Sequence, residues 1–230
     1  MSPPEAGASA AEKFDDYAAS YDRLHQQSVA ASGEPTEYFA LYKLACLDRI
    51  GAPRDAPILD YGCGIGNLTE QLARDFRDVH GFDPSAKSLE VAQRRAAGAR
   101  FHATTSAVPD DHFATAVLSG VLHHVRPSDR LDLLRTVRRK LRPGGRVVIF
   151  EHNPINPLTR KAVAECPFDD DAILLWPWEI PRLLEDAGLT AVEREYIVFF
   201  PRALSFLRAL EPRLKRVFVG AQTMTVGTRR

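Results

Sequence analysis

The chain has 230 residues and 45% hydrophobic content, enough for one domain with a sizeable core. Lys plus Arg and Asp plus Glu both number 30, so no strong global field draws in nucleic acid. Cys46, Cys63 and Cys166 are far apart and form no CxxC pair, so they read as reduced thiols rather than a zinc or disulfide framework. The Ala/Pro/Ser-rich start, residues 1–11, reads as a disordered tail and lacks the apolar stretch of a signal peptide. The longest apolar runs, such as Tyr196 to Phe200, are too short to cross a bilayer, so a cytoplasmic protein is expected.

In chain order, Phe14-Asp15-Asp16-Tyr17-Ala18-Ala19-Ser20-Tyr21-Asp22 is loosely helical. Thr36 to Ile50 reads as an amphipathic helix ended by Gly51-Ala52-Pro53. Ile58 to Tyr61 then reads as a buried strand, and Leu68, Leu72 and Phe76 recur at helical spacing after the turn Gly62-Cys63-Gly64-Ile65-Gly66-Asn67. Glycines let the backbone turn sharply and let a ligand approach closely. Amides at the helix start suit the polar or anionic end of that ligand. A dinucleotide fingerprint would place its third small residue at position 67, which is Asn67; here the third glycine is Gly66.

Val79 to Asp83 is a second strand, and an acidic residue at its end can accept hydrogen bonds from both hydroxyls of a ribose. Ser85 can cap the next helix and Gly98 can end it. Ala99 to Thr104 and Phe113 to Ser119 are strands three and four. Ser128 is expected to cap a helix carrying Leu131, Leu134, Val137 and Leu141, whose basic last turn Arg138-Arg139-Lys140 suits the helix dipole. Pro143-Gly144-Gly145 then stops the helix, and Val147 to Phe150 is a fully buried fifth strand. Glu151-His152-Asn153-Pro154-Ile155-Asn156-Pro157 follows at its carboxyl end, where ligands of open α/β sheets bind. Asn153 to Trp176 is long for a connection and reads as a substrate-facing insert. Within it, Asp169-Asp170-Asp171 reads as a solvated helix start. Trp178 to Ala187 is a helix, and Glu195 to Phe200 and Val217 to Val226 are the last strands. The apolar, arginine-bearing stretches Phe199 to Leu210 and Leu214 to Phe218 read as a packed cap over the pocket, in preference to a helix on a membrane surface.

The pattern D-x-G-C-G-x-G-N at Asp60 to Asn67 resembles motif I of the class I S-adenosylmethionine-dependent methyltransferases. The opening F-D-x-x-A-x-x-Y-D, S-x-x-L-x-H-V at Ser119 to Val125, and L-x-P-G-G at Leu141 to Gly145 resemble further features of small-molecule members, in the same order. The resemblance covers roughly residues 14–150. It implies an α/β, doubly wound, Rossmann-like seven-stranded sheet with helices on both faces, a reversed last strand and an N-terminal helical lid. The implied layout is a single domain over 12–230: lid 12–50, cofactor core 56–152, insert 153–177, and a C-terminal helix and strand pair 178–230. The implied cofactor is S-adenosyl-L-methionine, held by Tyr21, Asp60, Gly62, Cys63, Gly64, Gly66, Asn67, Asp83, Pro84, Ser119 and His124. The family often has an acidic residue after strand three; Thr104, Thr105 and Ser106 stand there, leaving adenine to backbone groups and a hydroxyl.

Such a reaction needs a nucleophile held in line with the methyl–sulfur bond, away from water. A base is needed only where the nucleophile carries a proton that is difficult to lose. The candidates are His123, His152 and Glu151, with His124 packing near the cofactor. The acceptor is expected against Tyr17, His123, His152, Asn153 and Asn156. No metal is expected, because adjacent histidines on an extended segment point opposite ways. A nicotinamide oxidoreductase is disfavoured by Asn67 and by the L-x-P-G-G run. A nucleic-acid enzyme is disfavoured by the balanced charge and the lack of an N-P-P-Y motif after strand four. The expectation is methyl transfer to oxygen or nitrogen of a small biosynthetic acceptor, by a monomer or homodimer without nucleic-acid partners. The alternatives are a lipid-linked or isoprenoid/quinone-type acceptor, or a non-catalytic cofactor-binding or interaction module.

Overall fold

The computed structural model describes residues 8–18 and 20–230. Residues 1–7 of the expected tail lie outside this range, while Ala8 already begins a helix. The lid is two helices, α1 (Ala8–Tyr17) and α2 (Tyr21–Ser28), followed by α3 (Thr36–Arg49). The core then alternates β1 (Ile58–Tyr61), α4 (Asn67–Asp75), β2 (Val79–Phe82), α5 (Ala86–Arg95), β3 (Arg100–His102), β4 (Phe113–Ser119), α6 (Arg130–Lys140) and β5 (Leu141–His152). The rest is α7 (Pro157–Ala164), α8 (Glu179–Asp186), β6 (Leu189–Ile197), α9 (Glu211–Leu214) and β7 (Gln222–Arg229).

The seven strands run in the order β3-β2-β1-β4-β5-β7-β6, with β7 antiparallel to both of its neighbours. Helices cover both faces, so the central strands bury alternate side chains into two separate cores. Ile58, Val117 and Val148 pack on one side with Leu47 and Leu72. Leu59, Leu118 and Ile149 pack on the other with Leu134 and Leu184. The chain leaves β1 toward β2 on one side and returns to β4 on the other. That reversal opens a crevice at the carboxyl ends of β1 and β4, where ligands of such sheets bind.

Several boundaries differ from the sequence expectation. The L-x-P-G-G run continues β5 rather than stopping a helix: Leu141 already pairs with Phe113, and a register shift before Thr115 absorbs the extra residues. Gly145 is required there, since a Cβ would sit 2.7 Å from the Phe113 carbonyl oxygen. Helix α6 has Asp129, not Ser128, at its N-cap position, and α5 ends before Ala96, ahead of Gly98. Strand β6 begins at Leu189 and leaves the sheet at Val198, whose φ is +59°. Strand β7 begins only at Gln222, because Val217 to Val219 are exposed.

Candidate active site

A cleft of about 1160 Å³ opens at the carboxyl ends of the parallel strands. Pockets for one small ligand run to about 300–1,000 Å³, so there is room for two molecules side by side. One half is built by the glycine turn. The amides of Gly62 and Cys63 both donate to the Phe82 carbonyl, at 2.7 and 2.9 Å, fixing the turn to the end of β2. The three glycines serve different ends. A Cβ at Gly62 would meet Val121 at 2.6 Å, and one at Gly66 would meet Ala92 of α5 at 2.9 Å. A Cβ at Gly64 would meet nothing within 4 Å, so this position alone faces open space. Gly66 does not line the cleft; its expected ligand contact is corrected to helix packing.

Asp83 is buried and lines the cleft. Its carboxylate accepts from Gly64 N–H at 2.8 Å and Ser85 N–H at 2.9 Å. Burial raises its pKa against the pull of those amides, and an ionised carboxylate keeps further lone pairs for hydroxyl donors. Asp60 accepts from Thr69 Oγ1 at 2.7 Å, and burial pushes it up to about 6. Cys63, Asn67, Pro84, Thr104, Thr105, Ser106 and Ser119 also line this half. Lys43 of α3 reaches the same cleft; burial lowers it to about 8, opposed by Asp60 and Glu151.

The lid closes over the opening. Tyr21 stacks on Phe168 of the insert, centroids 4.6 Å apart at 14°, and Phe14 meets His124 edge-on at 5.0 Å. Asp15 accepts from Ser85 Oγ at 2.6 Å and from Lys87 N–H at 3.1 Å, while Arg95 bridges Asp22 and Asn67. Tyr17 does not line the cleft: it packs edge-on against Phe168 and donates to the Pro167 carbonyl at 3.2 Å, so its expected acceptor contact is corrected to anchoring of the N-terminal helices.

The other half carries a cluster of buried titratable groups. Glu151, at the end of β5, accepts from Leu122 N–H at 2.7 Å and pairs with His123 Nδ1 at 2.6 Å. His123 Nε2 faces Asp169 Oδ1 at 3.6 Å, and His124 Nε2 faces the same oxygen at 3.3 Å. The two rings converge because Leu122 to His124 form a 3-10 turn; the extended segment expected there would have splayed them. Burial alone would lower His123, but Glu151 and Asp169 outweigh it and raise its pKa. The same pairing outweighs burial at Glu151 and lowers its pKa. His152 is lowered to about 4, first by burial and then by the charge on His123. His123, His152 and Asp169 offer donor atoms within 4.8 Å of one another, a grouping wide enough to admit a cation.

Asn153 and Asn156 do not reach the cleft, correcting the expected acceptor contacts. Asn153 is fully buried and donates to the carbonyls of Phe218 and Gly220, at 2.8 and 2.7 Å. Asn156 caps α7, accepting from Leu158 and Thr159 N–H, and donates to the Val219 carbonyl at 2.7 Å. Both hold the insert against the β6–β7 connection. Sequence reasoning missed Lys43, Phe168 and Asp169. The spacing of Lys43 one helical turn after Phe39 was the available signal for the first, since both line the cleft.

Comparison with known proteins decides the family. The family described as methyltransferase domain matches residues 58–145. A ubiquinone biosynthesis O-methyltransferase from Ruegeria sp. is 31% identical over 172 residues, covering 64% of this chain and 67% of its own. The chain belongs to the class I S-adenosylmethionine-dependent methyltransferases. Phosphoethanolamine N-methyltransferase 1 of Arabidopsis thaliana is 28% identical over 212 residues, 86% of this chain and 39% of its own. The chain thus spans about two thirds or less of the length of these curated relatives. A methyltransferase structure from Thermotoga maritima shares the fold, with a TM-score of 0.68 at 18% identity over 96% of this chain and all of that one. S-adenosylmethionine is the cofactor of this methyltransferase family, and the glycine turn with the open face of Gly64 and the buried Asp83 fits its ribose and amino-acid ends.

Proposed function

We propose that this methyltransferase moves a methyl group to oxygen or nitrogen of a small biosynthetic acceptor, with neutral His152 as the base. The observation that carries this reading is the His152 ring 5.0 Å from that of His123, itself hydrogen-bonded to Glu151 at 2.6 Å, with all three lining one wall of the cleft. The cofactor, when bound, supplies a methyl made electrophilic by its sulfonium. Asp83 would hold the ribose hydroxyls; Tyr21, Cys63, Asn67, Pro84, Ser119 and His124 wall that half of the cleft, and Thr104 to Ser106 would hold the adenine. His152 is placed to take the acceptor's proton while the methyl–sulfur bond breaks and S-adenosylhomocysteine would leave. His123, held between Glu151 and Asp169, is a positioning residue. Burial first, and then the charge on His123, lower the pKa of His152, and the His123 ring packs against that of His152 at 5.0 Å. The stack of Tyr21 on Phe168 excludes water, which favours orientation of the two reactants over hydrolysis.

The test compares metabolite extracts of cells with and without the protein for a gain of one methylene, alongside release of S-adenosylhomocysteine from the purified protein. Release with one compound class, lost in His152→Ala, supports the reading. Cofactor binding with no release across extracts supports the non-catalytic alternative instead.

A further inference from the structure

The connection between β6 and β7 does not form the packed cap expected from its sequence. Phe206 is 74% exposed, Phe218 57% and Val219 50%, and Leu158 at the start of α7 is 63% exposed. This segment is nevertheless held firmly. Buried Glu211 accepts from Phe199 and Phe200 N–H and from Tyr42 O–H. Arg208 binds Glu34 and the Phe200 carbonyl, and lies over the Tyr38 ring at 4.5 Å. Glu211 and Arg208 therefore tie the segment inward, while Phe206, Phe218 and Val219 face water.

The patch borders the cleft. Gln222, which starts β7, lines the cleft and pairs with His152. Asn156 ties Val219 to the start of α7, whose far end, Ala162 and Val163, lines the cleft as well. The charge on the patch has one sign. Glu211 is the one carboxylate between residues 199 and 220 and is buried, whereas Arg202, Arg213 and Arg216 are exposed. Large apolar side chains set among uncompensated cations match the headgroup layer of an anionic bilayer. A two-fold contact with a second copy would bury the same positive patch on both sides, with no carboxylate of residues 199–220 exposed to offset it.

We propose that this face docks on an anionic membrane surface, with Phe206, Phe218 and Leu158 entering the headgroup layer and the arginines meeting lipid phosphates. This rests on the methyl-transfer reading above and selects its lipid-linked alternative: because the patch adjoins the cleft, the acceptor class becomes a polar head on an apolar lipid-soluble tail.

The test uses the full chain with vesicles of phosphatidylcholine alone and of phosphatidylcholine mixed with phosphatidylglycerol. The wild type is expected to sediment with the mixed vesicles and not the neutral ones, and high salt is expected to release it. F206S/F218S and R213E/R216E are each expected to lose about tenfold or more of that binding. Both should keep S-adenosylmethionine affinity by calorimetry, which shows that they are folded and reads the methyltransferase assignment separately. Wild-type protein remaining in the supernatant, undiminished binding by the variants, or a solution dimer that the same substitutions dissolve would each overturn the proposal.

Discussion

His123 and Asp169 meet at one wall of the cleft, Nε2 to Oδ1 at 3.6 Å, while Glu151 holds the other ring nitrogen at 2.6 Å. Burial works against a charge on this ring, but two carboxylates outweigh it and raise its pKa. A raised histidine contributes stability that is complete below its unfolded value, about 6.5, and is lost as pH rises through the folded value. The stability difference between wild type and His123→Gln should therefore shrink as pH rises above about 6.5. At lower pH the variant should lose about 3–5 kcal/mol, since it strands Glu151. Denaturant melts across the pH range measure this, and a constant difference would mean the ring is neutral.

His152 has the opposite shift, down to about 4. A base with a lowered pKa is free above that value and is lost only as pH falls through it. The rate should accordingly stay flat from pH 8 down to about 5, with the acid limb set by this base lying below that. His152→Ala should lower kcat by about 10²-fold or more for an acceptor with a hydroxyl proton, with KM for the cofactor little changed. An equal loss in cofactor affinity would assign His152 to cofactor binding instead.

Gly64 and Gly66 separate ligand approach from folding. Both have positive φ, +52° and +84°, so alanine costs roughly 1–2 kcal/mol of backbone strain at either site. Only Gly66→Ala also meets a neighbour, Ala92, at 2.9 Å. Gly66→Ala should lower the melting temperature more, and Gly64→Ala should weaken S-adenosylmethionine binding more. Calorimetry and thermal melts on the same preparations measure the contrast.

Asp83→Ala should weaken the cofactor by about 1.5–3 kcal/mol, the range for hydrogen bonds to a charged acceptor. It also frees the Gly64 and Ser85 amides, so the melting temperature should drop as well. Unchanged affinity would place the ribose elsewhere.

Glu151 and Asp169 raise the pKa of His123, and a proton held on that ring competes with a cation for its nitrogens. Exhaustive treatment with EDTA should leave methyl transfer intact. Loss of activity restored by added magnesium or zinc would assign the His123, His152 and Asp169 grouping to a metal.

The parts of the site visible in the sequence were those set by local chemistry. Turn glycines after a buried strand, and an aspartate at the end of the next strand, pointed to Gly62, Gly64 and Asp83, which line the cleft. The acceptor half depended on tertiary packing. Asp169 is one of three successive aspartates, and nothing local separates the buried one from Asp170 and Asp171, which sit exposed near Lys13. The convergence of His123 and His124 depends on a turn whose cause is distant: Glu151 accepting from Leu122 N–H, and Arg130 donating to the Leu122 carbonyl at 3.1 Å. Asn153 and Asn156 looked like ligands because they follow β5, yet their amides were needed to satisfy backbone carbonyls of a connection more than sixty residues on.

The sheet finishes at both sides in strands that offer little to a further strand. β3 is three residues long, and β6 is interrupted by a register shift around Ala191, whose φ is +50°. Glu193, Arg194 and Glu195 follow the shift and put charge along that margin. Short, kinked and charged borders discourage edge-to-edge addition of another chain. Copies of this protein should therefore not join into one continuous sheet, and the open sides of β3 and β6 protect it from the aggregation that long flat borders invite.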